Sequence, residues 1–246
     1  MKKIIALIKG GLGNQMFCYA AARRLAIANN AELLIDDVTG FLRDKRYQRR
    51  YALNHFRIPV VAASPLDRLE PFGRYRRSLL KLTSRSKPFD KRRYLEQEGM
   101  DFDVRMLSLR IDEWLYLDGY WQSEGYFKDV ERIIRSDLEI IPPTDVLNQV
   151  LASKIGSCNA VAVHIRWFDV LGGSESYNVS ASYYQRAIQK VEESVECPHY
   201  FLFSDDPEAA YAKLSFPANR VTLVSHNLGD ESAYADLWLM TLCRHF

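Results

Sequence analysis

Short apolar runs, each followed by a helical pattern, recur along this chain on both sides of Ile141-Pro142-Pro143-Thr144, and few folds accommodate that rhythm. Lys3 to Ile8 is such a run; it stops at Gly10-Gly11-Leu12-Gly13, and a helical pattern then leads to Asn29-Asn30. Glu32 to Ile35 and Trp114 to Tyr120 read as further strands, and Ser123 to Leu138 as an amphipathic helix capped by Ser123. Beyond the prolines, Ala160–Ile165, Tyr200–Phe203 and Val221–Val224 read as strands. They alternate with helices over Ser182–Val195, from Asp206-Pro207-Glu208, and over Glu231–Cys243. Runs this apolar suit strands buried on both faces of a parallel sheet. Strand–helix alternation on either side of a proline seam therefore implies two α/β halves, residues 1–142 and 143–246. Ligands of such sheets sit outside the carboxyl ends of the strands.

The charge is unevenly spread. Sixteen Lys/Arg stand against four Asp/Glu between Phe41 and Arg93, a local excess of +12 in a chain whose net charge is +2. This stretch, 41–93, lacks apolar periodicity and reads as a loop-rich basic insertion or a basic face for anionic lipid or substrate. No nucleic-acid motif accompanies it. Met1-Lys2-Lys3 and Ile4–Ile8 imitate a secretion signal until Lys9 interrupts, and the four cysteines form no CxxC pair. The expectation is a cytoplasmic chain with reduced thiols.

The motifs lie at strand exits. Gly11 and Gly13, in Gly10-Gly11-Leu12-Gly13-Asn14-Gln15, allow close backbone approach to a ligand at a helix start. They also fit part of a dinucleotide fingerprint, with Asp36 or Asp37 at the ribose distance, but Met16 stands where the third glycine belongs. His164-Ile165-Arg166 leaves a strand and leads to Asp169; an arginine there offers paired N–H donors to a diphosphate. Asp205 and Asp206 follow another strand, Asp206 as a helix cap, and Asp236 lies in the last helix. Asp101-Phe102-Asp103 resembles a metal-binding DxD by chance spacing, and His164 with Asp169 lacks a third ligand nearby, so no metal is expected.

Together these motifs resemble the bacterial α1,2-fucosyltransferases of glycosyltransferase family 11. The resemblance rests on GGLGNQMFCYAAARRLA, GYWQSEGYFKD from Gly119 to Asp129, HIRxxD at His164, FSDDP at Phe203 and the closing DLWLMTLCRHF. It implies a GT-B-like α/β fold, two Rossmann-like halves facing across a cleft, with acceptor on the first half and GDP-fucose on the second. It implies metal-independent, inverting transfer of L-fucose to the 2-hydroxyl of a galactose-terminated glycan, lipid-linked and destined for surface O-antigen, without a cofactor. Carried over by position, Arg166 contacts the β-phosphate, His164 the nucleoside, and Asp236 with Asp205 or Asp206 the guanosine, while Asn14 sits where donor and acceptor meet. Peripheral contact with the inner face of the membrane follows from the basic 41–93 stretch. No general base is singled out.

Two departures from the family pattern stand out. The usual HxRRGD reads His164-Ile165-Arg166-Trp167-Phe168-Asp169 here, leaving Arg166 as the one motif arginine. Family members also continue past the equivalent of His245-Phe246 with a strand that completes the donor site, so the second half is expected to lack its C-terminal end. A non-catalytic nucleotide- or glycan-binding remnant and an NAD-dependent oxidoreductase are the competing readings.

Overall fold

A computed structural model describes residues 1–45, 47–166, 179–217 and 219–246. The chain divides into two compact units, Met1–Ile141 and Pro142–Phe246.

In the first unit, β1 (Lys3–Leu7) is buried along nearly its whole length, as an apolar run flanked by strands on both sides must be. After it come α1 (Leu12–Asn29) and β2 (Glu32–Asp36). Asn30 ends α1 in the left-handed conformation, its N–H bonded to the Ala26 and Ile27 carbonyls. Then come β3 (Val61–Ala62), α2 (Gly73–Arg85), β4 (Tyr94–Glu96), α3 (Arg105–Ser108), β5 (Trp114–Asp118) and α4 (Glu131–Asp137). The strands pair in parallel in the order β3-β2-β1-β5-β4.

Two local expectations are corrected. Ser123–Leu138 is not one helix: short 3-10 turns at Glu124–Tyr126 and Lys128–Val130 precede α4. Ser123 caps the first turn by accepting from Gly125 N–H at 3.2 Å. Tertiary packing dictates the break, because buried Tyr126 is held between Phe102 and Trp121 at ring distances of 4.8 and 5.5 Å. The basic stretch 41–93 is also more ordered than its sequence suggests, supplying edge strand β3 and the 13-residue α2.

The second unit holds α5 (Val146–Gly156), β6 (Asn159–Ile165), α6 (Ala181–Ser194), β7 (Pro198–Ser204), α7 (Pro207–Lys213), β8 (Val221–Val224) and α8 (Ala233–Leu242). Its parallel sheet runs β6-β7-β8. Phe201 and Phe203 point to one face, where Ile155, Leu151 and Leu239 cover them; Leu202 points to the other, with Ile165, Ala210 and Leu214. The free side of β6 is met by the last residues: the Ala162 N–H donates to the His245 carbonyl at 2.9 Å, and the Arg244 N–H to that of Ala160 at 3.0 Å. Each unit is thus the α/β, Rossmann-like kind that the strand–helix rhythm predicts.

Candidate nucleotide-sugar site

In the first unit the glycine-rich turn connects β1 to α1, and its chemistry is mostly internal. Gly10, not Gly11 or Gly13, carries the special backbone: φ is +77°, and a β-carbon there would lie 2.8 Å from Asn14 Nδ2 and 3.0 Å from the Tyr120 ring. The space a Gly11 side chain would occupy is filled by the Arg49 guanidinium, 2.0 Å from the ideal β-carbon position. Gly13 faces open space and lines a groove of about 450 Å³ with Met16, Phe17, Phe127 and Ile134. Gln15, which sequence reasoning passed over, clamps the turn. Its amide nitrogen donates to the Gly10 and Arg50 carbonyls, and its oxygen accepts from the Ala52 N–H, all within 2.8–2.9 Å. Asn14, half-buried, accepts from Gln122 Nε2 at 2.6 Å, which joins the GNQ and GYWQSE motifs.

The acids at the carboxyl ends of these strands are already used. Asp36 is fully buried and accepts from the Tyr116 hydroxyl and from the N–H groups of Val38 and Thr39. A ribose cannot claim that carboxylate, which leaves the dinucleotide reading only the partly exposed Asp37. Asp118 accepts from Lys9 at 2.6 Å and from the Tyr94 hydroxyl at 2.5 Å. Asp103 of the DxD tripeptide is chelated by Arg105. Among the described residues no group of three or more His, Cys, Asp or Glu is arranged to hold a metal ion.

The second unit gathers the remaining motif residues at one end of its sheet. His164 pairs with Phe203, and Phe203 with Val224, so His164, Arg166, Asp205, Asp206, His226 and Asn227 all leave the strands on the same edge. His164 reaches solvent, yet crowding by its surroundings and the Arg166 guanidinium push its pKa down, with the Asp205 carboxylate pulling the other way. The imidazole is therefore neutral at pH 7. Asp206 is consumed as the cap of α7, accepting from the Ala209 N–H at 3.0 Å, and Pro207 takes the first helical position. Ser204 Oγ donates to Asp205 and accepts the Asp206 N–H. Asp169, with Trp167 and Phe168, lies outside the described residues.

Asp236 enters through a relay that no short motif announces. Asp145 caps α5 and accepts from Asn148 Nδ2 at 2.8 Å; Asn148, 2% exposed, exchanges amide hydrogen bonds with Asn227 at 3.0 Å. Asn227 Nδ2 then donates to Asp236 at 2.8 Å, and the His226 ring meets Asn148 Oδ1 at 3.0 Å. The relay brings the first turn of α8 to the exit of β8. Burial pushes the Asp236 carboxyl up to about 6, with the Asn227 hydrogen bond opposing.

The second sheet thus ends in a cation, an imidazole and a half-buried carboxylate at the carboxyl edge where α/β folds place their ligands. The description "Glycosyl transferase family 11" matches residues 3–246, and the chain belongs to that family. It is 27% identical to an alpha-1,2-colitosyltransferase of Escherichia coli, over all of this chain and 83% of the relative. It is 26% identical to the O-antigen biosynthesis glycosyltransferase WbnK of Escherichia coli, over 97% of this chain and 83% of the relative. The fold matches crystal structures of the fucosyltransferase NodZ from Bradyrhizobium with a TM-score of 0.53 at 16% identity, covering 98% of this chain and 86% of that one. FUT1 of Arabidopsis thaliana, solved with GDP, matches at a TM-score of 0.50 and 14% identity, covering 98% of this chain and 64% of that one.

Proposed function

We propose that the chain transfers L-fucose from GDP-fucose to the 2-hydroxyl of a galactose-terminated, lipid-linked glycan during O-antigen assembly. The observation that carries this reading is the family match over residues 3–246, coinciding with the strand-exit cluster of His164, Arg166, Asp205 and Asp236 in the second unit. Arg166 neutralises the charge that gathers on the leaving diphosphate, the role a preorganised cation fills best in a site that uses no metal. Neutral His164 lies against the nucleoside, and the Asp236 carboxylate accepts the N–H donors on the guanine edge. Asp205 takes ribose or base hydroxyls, Asp169 belongs with this donor set, and Asp206 acts by fixing α7. Asn14, Gly11 and Gly13 belong to the acceptor side, where Asn14 orients the attacking hydroxyl. The acceptor oxygen forms its bond to the anomeric carbon from the face opposite GDP. The bond from that carbon to the β-phosphate oxygen breaks with its electron pair leaving on GDP, the hydroxyl proton passes to solvent, and attack from the opposite face inverts the configuration.

The colitosyltransferase relative favours a second reading of the donor, in which GDP-colitose replaces GDP-fucose. Calorimetric titration of GDP, UDP and NAD tests the nucleotide, and product analysis with GDP-fucose and GDP-colitose on a β-galactoside tests the sugar. GDP-selective binding and a 2-linked product support the proposal; NAD binding, or GDP binding without transfer of either sugar, overturns it.

A further inference from the structure

Helix α2 is amphipathic with its apolar face on the outside. Its residues include Arg74, Arg76, Arg77, Lys81 and Arg85 and no acid. Phe72, just before it, and Tyr75, Leu79 and Leu82 follow at i, i+3, i+7 and i+10, a spacing that forms one stripe along a helix. They are 81%, 71%, 49% and 67% exposed. Single exposed apolar residues mean nothing, but a stripe three turns long is a binding surface. The helix is anchored from another side. Leu80 packs on the core formed by Ile5, Leu34 and Tyr94, and buried Ser84 Oγ accepts from the Tyr94 N–H at 3.1 Å. Beside the stripe, Arg74, Arg77 and Lys81 line a cavity of about 440 Å³ together with Arg43. Glu96 pairs with Lys81 and Arg85. Arg76 and Arg77 donate to the carbonyls of Leu69 and Arg68, and among the described residues neither forms an ion pair, although Arg77 shares its cavity with Asp118.

We propose that α2 lies in the interface of an anionic lipid bilayer and seats the first unit on it. The stripe enters the acyl boundary while the arginines meet headgroup phosphates, the arrangement expected of an interfacial helix that is strongly cationic on its polar face. A nucleic acid would satisfy the cations and leave the stripe in water; an anionic membrane satisfies both. No helix among the described residues is long and apolar enough to cross a membrane, so the contact is peripheral. The proposal is independent of the donor sugar.

The test is co-sedimentation of the full chain with vesicles of phosphatidylglycerol and phosphatidylcholine in equal parts, and with phosphatidylcholine alone. Selective binding to the anionic vesicles is expected. L79Q/L82Q should lower partitioning roughly tenfold or more, and R74Q/R76Q about fivefold for each charge removed. Unchanged melting and unchanged GDP affinity in both variants verify that the fold and donor half are intact. Absence of binding, equal binding to neutral vesicles, or full binding by folded L79Q/L82Q overturns the proposal. A parent chain that binds vesicles but not GDP refutes the transferase reading and leaves this one standing.

Discussion

The half-buried Asp236 carboxylate should cost the protein stability while serving its ligand. Its pKa near 6, against an ordinary 3.8, means that the folded chain binds this proton more tightly than the unfolded chain does. Stability is therefore undiminished below about pH 4, falls as pH rises towards 6, and carries the full penalty above it. The difference corresponds to about 3 kcal/mol at pH 8, as an upper figure. In D236N the charge is gone, but the side-chain oxygen still accepts from Asn227 Nδ2, so the relay through Asn148 survives. The variant should melt higher at pH 8, by roughly 5–10 °C in the transition of the second unit, and should match the parent near pH 4. GDP affinity should move the opposite way. Losing a charged acceptor at the guanine edge costs about 1.5–3 kcal/mol, or roughly ten- to a hundredfold in Kd. Parent affinity should decline as pH falls through about 6, with no such inflection in D236N. Calorimetric melts and GDP titrations at both pH values decide it. A variant less stable than the parent at pH 8, or one with unaltered GDP affinity, refutes the reasoning and makes Asp236 a structural node.

Arg166→Ala should lower kcat by about 10²–10³ with little change in melting, since the side chain is exposed; a kcat within about threefold of the parent removes it from the chemistry. Gly10→Ala forces an alanine into left-handed backbone and against Asn14 and Tyr120, and should destabilise the first unit by about 2 kcal/mol in urea denaturation. Gly11→Ala instead must displace Arg49, a flexible side chain, and should be the milder change by the same assay. Asp137→Ala strands the Tyr19 hydroxyl, 2.7 Å away in the core, and Arg23 at 2.8 Å; a loss of about 3 kcal/mol is expected, and a loss below about 1 kcal/mol would show the pair relaxing to water.

What could be read beforehand was local. β1, β2, β6 and β7 announce themselves because a strand buried on both faces needs an apolar run, β8 because its short run is apolar though only Val224 is fully buried, and the Asp206-Pro207 start of α7 because a cap needs only its own few residues. What stayed hidden depends on distant partners. The Asn148–Asn227 pairing spans 79 positions, and nothing near either asparagine marks it. Ser123–Leu138 has the helical period, but the Phe102–Tyr126–Trp121 aromatic cluster outweighs it. α2 escaped because pattern reading looks for an apolar face that meets a core, whereas its apolar stripe faces outward.

The carboxylates at the ends of the two sheets are engaged to different degrees. In the first unit Asp36 is saturated by a tyrosine hydroxyl and two backbone N–H groups, and Asp118 by Lys9 and Tyr94. A carboxylate so engaged is a poor base and a poor ribose acceptor, because every new hydrogen bond must displace an existing buried one. Besides the backbone turn at Gly10 and the Asn14–Gln122 pair, this end presents a cavity around Asp118 lined by Arg43, Arg74, Arg77 and Lys81. In the second unit the charged groups leave the strands into solvent, with Arg166 and His164 beside Asp205 and with Asp236 kept there at a cost in stability. An asparagine there would keep the Asn227 hydrogen bond without that cost, so the GDP titration of D236N decides whether the charge serves a ligand.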